Sequence, residues 1–378
     1  MKEILQSFEV SYSYPVIFTR GVFAPGNAAF SSVIARAGPG PHRTLLALDS
    51  GLIEARPELI ASVEAYTQGL GGLVELAGSP LVVRGGEICK SDPREVGELR
   101  RMIETEGLCR HSFVVAIGGG SVLDAIGYGT ATSHRGVRFI RVPTTVLAQN
   151  DAGVGTKNAI NLDGRKNFIG TFAPPYAVIN DLDMLDTLPE RDMRSGIAEA
   201  IKVALIKDRA FFEELHQGRT RLAGFDPETM ERMIVRCTEL HLEHIRSTGD
   251  PFELGSARPL DFGHWAAHKL EEMSGYTLRH GEAVAVGVAL DSLYSARSGM
   301  LPERDAGVIV RTLADIGFEL GPPALDELDI EAALAEFREH LGGSLNITLL
   351  AEIGRGVEVT SIDERRMADC ISELRAAD

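Results

Sequence analysis

Up to residue 181 the chain alternates short, unbroken apolar runs with amphipathic stretches, and that alternation leaves few folds open to it. TLLALD (44–49), PLVVRG (80–85), SFVVAIGGG (112–120), VRFIRVP (137–143) and YAVIND (176–181) have the aliphatic and β-branched character of strands covered on both faces. LIEARPELIASVEAYTQGL and VGELRRMIETEG stand between them with apolar residues at helical spacing. Strand and helix in series assemble most economically as βα units around a mostly parallel sheet. From TLPERDMRSGIAEAIKVALIKD onward the pattern turns helical: Met193, Ile197, Ile201, Leu205 and Phe211 recur at roughly helical intervals, Thr187 is placed as a cap, and Pro189 and Glu190 follow it. Further helical patterns fill MERMIVRCTELHLEHIRS, GHWAAHKLEEMS, GEAVAVGVALDSLYSARSG and DAGVIVRTLADIG. The expectation is an α/β domain with a mostly parallel sheet over 1–185 and a predominantly α-helical domain over 186–378.

Composition bounds the function. With 378 residues, 24% of them charged and 44% hydrophobic, the chain is long enough for two cores. A formal charge of -16 opposes a nucleic-acid surface, and a phosphorylated substrate would need its own local lysines and arginines. The four cysteines, at 89, 109, 237 and 370, lack metal-knuckle spacing, so free thiols in a reducing compartment are expected. The opening MKEILQSFEVSYSYPVIFTR has no apolar segment behind a basic leader, and no later apolar stretch reaches membrane-spanning length. A cytoplasmic protein without a membrane partner is the expectation.

Three stretches carry chemistry. In AIGGGSVLDAIG (116–127) a strand runs through glycines into a helix, where backbone N–H groups can approach an anion; the residues alone leave a tight structural turn equally open. Asp49, closing TLLALD, is either a ribose acceptor or an ordinary turn carboxylate, and Glu87 and Lys90 in RGGEICK a site pair or a surface pair. DAGVGTKNAINLDGRKNFIG (151–170) gathers Asp151, Lys157, Asn161, Lys166 and Asn167 around backbone-permissive glycines, a functional loop or a hydrogen-bonded surface loop. HWAAHK puts His264 and His268 one helical turn apart without the glutamate of a zinc peptidase. Glu199 and His280 could complete an oxygen and nitrogen donor set suited to Zn²⁺, and chemistry alone does not choose between His264 and His268.

Taken in order, GGEICK, AIGGGSVLD, RVPTTVLAQNDAGVGTKNAINLDGRKNFIG, NDLDMLDTLPERDMRSGIAEAIK, DFGHWAAHK and RHGEAVAVG resemble the sugar phosphate cyclase superfamily, whose best-known member is 3-dehydroquinate synthase. The resemblance runs from about residue 40 to about 355. It implies the dehydroquinate synthase-like fold, a homodimer, NAD, and Zn²⁺ with Co²⁺ as an alternative. It places Glu199, His264 and His280 on the metal and His268 either just outside the metal ligands or on the phosphate side. Asp49, Glu87, Lys90, Gly119, Gly120, Ser121, Asp124, Thr144 and Thr145 match the NAD side. Asp151, Lys157, Lys166, Asn167 and Lys202 match the catalytic and substrate positions, and Arg135 matches an arginine given across a dimer interface. The implied reaction uses NAD catalytically: a hydroxyl is oxidised, phosphate is eliminated, the hydride returns, and ring opening with an aldol step closes a carbocycle.

Departures from the dehydroquinate enzyme fall on the substrate. Where that enzyme holds its substrate carboxylate with a lysine and an arginine near an asparagine, this chain has His241, then Arg258 and Asp261 in SARPLDFGH. A carboxylate there would lose paired charge and meet an acid. The expected substrate is therefore sedoheptulose 7-phosphate, cyclised to a valiolone-type carbocycle. An Arg338, Glu339, His340 cluster also replaces a family lysine, with His340 a substrate-side candidate. The competing readings are 3-dehydroquinate synthase or another cyclase, a metal-dependent polyol dehydrogenase, and a non-catalytic scaffold.

Overall fold

Strand Phe113–Gly118 is buried along its whole length, and the five apolar runs do lie in one sheet. The computed structural model describes residues 1–247, 260–340, 343 and 345–377. It divides into two compact units, Met1–Pro143 with Thr156–Asp181, and Thr144–Gly155 with Leu182–Asp378.

The first unit carries a seven-stranded parallel sheet in the order Val16–Thr19, Ala177–Asp181, Arg138–Pro143, Phe113–Gly118, His42–Asp49, Val74–Leu76, with Leu81–Val83 also paired to His42–Asp49. Two strands here had no signal in the sequence. Val16–Thr19 lies at the sheet edge, half-buried throughout, so it lacks the apolar run of a covered strand. Val74–Leu76 pairs with residues 42–44 while Leu81–Val83 pairs with 47–49; Gly78, at φ 68°, and Pro80 break this edge in two. Helix Gly120–Thr132 follows the central strand directly and begins at the glycine-rich turn.

The polar stretch after residue 156 is an antiparallel hairpin, Lys157–Leu162 with Arg165–Phe172, rather than an irregular loop. Asp163 and Gly164 both take positive φ at its tip, the conformation that an Asp-Gly hairpin turn requires. That dipeptide was the available signal, masked by the charged residues on either side. The fully buried Arg141 ties the hairpin to the sheet: its guanidinium donates to Lys157 O at 2.9 Å and Asn158 Oδ1 at 2.8 Å.

The second unit is built on two helices buried nearly all round, Glu190–Lys207 and His280–Arg297, with His264–Met273 packed on the latter. Thr187 does not cap the first. Its hydroxyl donates to Met184 O at 3.1 Å, closing the 3-10 turn Leu182–Thr187, and Pro189 stands at the N-cap without a side-chain bond. A two-stranded ribbon, Ile347–Glu352 with Arg355–Val359, adds strand structure to this otherwise helical unit. All four cysteines are free, and only Cys109 is exposed. Among the described residues no helix is long and apolar enough to cross a membrane.

Candidate active site

Within the second unit, Glu199, His264 and His280 converge. Glu199 sits in the buried middle of Glu190–Lys207, His280 opens the helix His280–Arg297, and His264 opens His264–Met273. Their ligand atoms lie within 4.8 Å of one another. His280 Nε2 is 3.3 Å and His264 Nε2 3.7 Å from Glu199 Oε1. The opposite ring nitrogens are occupied: His264 Nδ1 is 3.1 Å from Phe262 O, and His280 Nδ1 is 2.9 Å from Glu271 Oε2. When each Nδ1 carries the proton for its acceptor, both Nε2 lone pairs face the carboxylate, an arrangement that a cation satisfies. Neither Glu199 oxygen makes a hydrogen bond of sound geometry, although the Lys202 ammonium lies against Oε2. The donor set thus fits a divalent metal of the zinc class.

The charges agree. Burial alone would raise the Glu199 carboxyl, but Lys202 and His280 hold it at about 2. Burial, together with Lys202 and the other two histidines, keeps His264 well below the usual imidazole range, in the neutral form a ligand needs. Against burial, Glu199 and Glu271 raise His280 to about 9. His268, one turn from His264, is exposed, yet with Glu271 and His280 it forms a second donor set of the same span. Glu271 escaped the sequence reading, although His264, His268 and Glu271 follow the spacing of one helical face.

Asp151 and Lys202 belong to the same unit. His241 Nδ1 lies 2.9 Å from Asp151 Oδ1, and this pairing outweighs burial and lowers the Asp151 carboxyl. Lys202, 3% exposed, is kept protonated against burial by Glu199 and Asp151. Asp261 accepts from Thr348 Oγ1 at 2.9 Å, and its carbonyl accepts the His264 N–H at 2.9 Å. Thr144 and Thr145, expected on the NAD side, group with this unit; Thr145 Oγ1 accepts from Ala148 N at 3.1 Å. Arg258 lies outside the described residues, as does the side chain of His340, which ends helix Ile330–His340.

The first unit gathers the other expected residues. Asp49 caps the short helix Ser50–Ala55, accepting the Gly51 N–H at 2.9 Å; burial raises its carboxyl while N–H groups of Gly51, Gly119 and Leu52 oppose that. Gly119 is the N-cap of Gly120–Thr132 and brings no side chain to the first-turn N–H groups. Lys90, 4% exposed, donates to Asp124 Oδ2 at 2.7 Å and to Asn167 Oδ1. Glu87 accepts from Asn161 Nδ2 at 2.8 Å and Ser121 Oγ at 3.0 Å. Despite burial, Lys90, Asn161, Lys166 and Ser121 keep its carboxyl low. Asn161 also accepts the Asn167 N–H at 2.8 Å, so the hairpin closes onto the Glu87 and Lys90 turn. Lys157 is exposed, as is Arg135, which sits at φ 63° in the turn before strand Arg138–Pro143 and lines a surface pocket with Cys109, Arg110 and His111.

Comparison with known proteins identifies the family. The 3-dehydroquinate synthase N-terminal family matches residues 80–195, and the 3-dehydroquinate synthase C-terminal family matches 196–339. The chain is 36% identical over 350 residues to the 3-dehydroquinate synthase of Xanthomonas oryzae pv. oryzae strain PXO99A, covering 90% of this chain and 92% of that one. The structure is similar to ValA, a 2-epi-5-epi-valiolone synthase from Streptomyces hygroscopicus subsp. jinggangensis 5008 solved with NAD⁺ and Zn²⁺ bound. That match has a TM-score of 0.86 at 27% identity and covers 99% of this chain and 100% of that one. A 2-deoxy-scyllo-inosose synthase, complexed with carbaglucose-6-phosphate, NAD⁺ and Co²⁺, shares the fold at a TM-score of 0.75 and 24% identity, covering 95% of this chain and 96% of that one. With its dehydroquinate synthase-like α/β and helical architecture, the chain belongs to the 3-dehydroquinate synthase family, within the sugar phosphate cyclase superfamily.

Proposed function

We propose that this cyclase binds NAD and Zn²⁺ and converts sedoheptulose 7-phosphate to a valiolone-type C7 carbocycle with loss of phosphate. The observation that carries the substrate is the pairing of His241 with Asp151: the imidazole in the lysine's place is engaged by a carboxylate, and the family resemblance adds Asp261 as a second acid in the asparagine's place. An added substrate carboxylate would face two acids and no fixed cation from these residues. The likeness to ValA supports the same class of product. The naming of the Xanthomonas relative favours a second reading, 3-dehydroquinate synthase.

In the proposed site NAD supplies reversible oxidation of a substrate hydroxyl, and the metal polarises that hydroxyl. Glu199, His264 and His280 hold the metal, and Glu271 fixes the ring orientation of His280. Asp49 and the first turn after Gly119 orient the dinucleotide, with Glu87, Lys90, Ser121, Asp124, Thr144 and Thr145 around it. Lys157, Lys166, Asn167 and His268 orient phosphate and hydroxyls. Asp151, with the His241 ring nitrogen 2.9 Å from its carboxylate, passes a proton to or from the substrate. Lys202 keeps positive charge beside Glu199.

The test incubates metal-loaded protein and NAD separately with sedoheptulose 7-phosphate, 3-deoxy-D-arabino-heptulosonate 7-phosphate and glucose 6-phosphate. Phosphate, NADH and carbocycle are followed together. The expected result is many phosphates released per NAD from sedoheptulose 7-phosphate, with little free NADH. Efficient turnover of the carboxylated sugar alone would establish the second reading, and stoichiometric NADH with phosphate retained would make the protein a polyol dehydrogenase.

A further inference from the structure

Helix His280–Arg297 is apolar and buried along most of its length, yet it carries an aspartate that is fully buried, Asp291. Both carboxylate oxygens are used on the start of the neighbouring helix. Gly263 N–H donates to Oδ2 at 3.0 Å, and the indole Nε1–H of Trp265 donates to Oδ1 at 2.8 Å. The two donors flank His264 in sequence, so one carboxylate grips the backbone before the ligand and the side chain after it. Gly263 sits at φ 79°, and a Cβ there would lie 2.7 Å from Val288 N; a Cβ on Gly287 would lie 2.0 Å from Gly263 O. The helices touch backbone to backbone here, leaving little room for His264–Met273 to shift. Asp291 is itself held, because Ser295 Oγ donates to its carbonyl at 2.5 Å and accepts from Leu350 N at 3.0 Å.

We propose that Asp291 is a positioning residue for metal binding, setting the height and rotation of His264 relative to His280, which begins the same helix that carries Asp291. The proposal rests on the assignment of Glu199, His264 and His280 to the metal. A buried carboxylate left unsatisfied is costly, so its persistence in an apolar helix calls for a role. Here that role is to tie two ligand-bearing helices together, as outer hydrogen bonds do around other metal sites. Trp265, which stands where a zinc peptidase would have glutamate, is the anchor for Asp291.

The test measures Zn²⁺ affinity of the full chain by competition with a chromophoric chelator at pH 8, alongside thermal unfolding of the apo protein. Burial raises the Asp291 carboxyl to about 7 against its two donors, so at pH 8 both oxygens accept. The proteins are wild type, H264A, Asp291→Asn, Trp265→Phe and, as a packing control in helix Glu303–Ile316, Ile309→Ala. D291N turns one acceptor into a donor, and W265F removes only the indole N–H. Expected are a Zn²⁺ affinity loss of roughly 10–100-fold in D291N and about 5-fold or more in W265F. I309A should lower Tm with affinity within about 2-fold of wild type. Wild-type affinity in W265F, a variant that keeps the ring, overturns the proposal even when D291N does not fold. Affinity that falls in I309A in step with Tm overturns it as well. Wild type and H264A binding Zn²⁺ equally would instead remove the metal assignment beneath it.

Discussion

His264 and His268 share one helical face, and their surroundings divide them. His264 is largely enclosed and points Nε2 at Glu199, whereas His268 is exposed, with its ring centroid 5.3 Å from that of His264. Removing Glu199, His264 or His280 with alanine should therefore weaken metal binding by more than ~100-fold, beyond the usual effect of outer-sphere changes. H268A should keep metal within about 10-fold of wild type and raise KM for the phosphorylated substrate. Metal analysis after dialysis, together with circular dichroism, makes the comparison, and equal metal loss in H264A and H268A would end the division. Residue types and helical spacing made the two histidines legible as candidates. Their separate surroundings, and the partnership of His241 with Asp151, depend on side chains from other helices.

At the scale of elements, the hairpin Lys157–Leu162 and Arg165–Phe172 is joined to the turn that precedes helix Ile88–Ser91 through Asn161 and Glu87. The Glu87 carboxyl is held below its ordinary 4.5 in the folded chain. Its contribution to stability is thus present above pH 4.5 and is lost as pH falls through the lowered value. E87Q keeps the shape and removes the charge, so it should cost about 1 kcal/mol at pH 7 for a partly exposed charged hydrogen bond. That difference should shrink as the pH drops below 4.5. Urea unfolding without NAD at pH 7 and pH 3.5 measures it, and a gap of the same size at both would show that Glu87 is not paired this way. The hairpin also marks where periodicity misleads. Its strands are polar because they are exposed at many positions, so they lack the apolar alternation that reveals a half-buried strand.

For the molecule as a whole, the exposed Arg135 bears on assembly, since the family resemblance has it act on a partner copy. R135A and H264A should each lose about 100-fold or more in kcat, the scale for removing a group that stabilises developing charge. Mixed in equal amounts and allowed to exchange subunits, they should regain about a quarter of wild-type activity, because half the dimers are hybrid and each hybrid has one intact site. Phosphate release with light scattering tests this, and no recovery in a mixture shown to contain hybrids would place Arg135 in its own subunit's site. The sequence by itself determined the parallel sheet, the helical second half and the kinds of donor available, because strand and helix periods and glycine turns are local properties, and the ordered motifs carried the family resemblance. Only the tertiary structure decided that Glu271 holds His280, that Asp291 grips both sides of His264 and that residues 144–155 group with the helices. Those outcomes depend on how each helix is rotated against its neighbours, which is set by close packing between residues far apart in the chain.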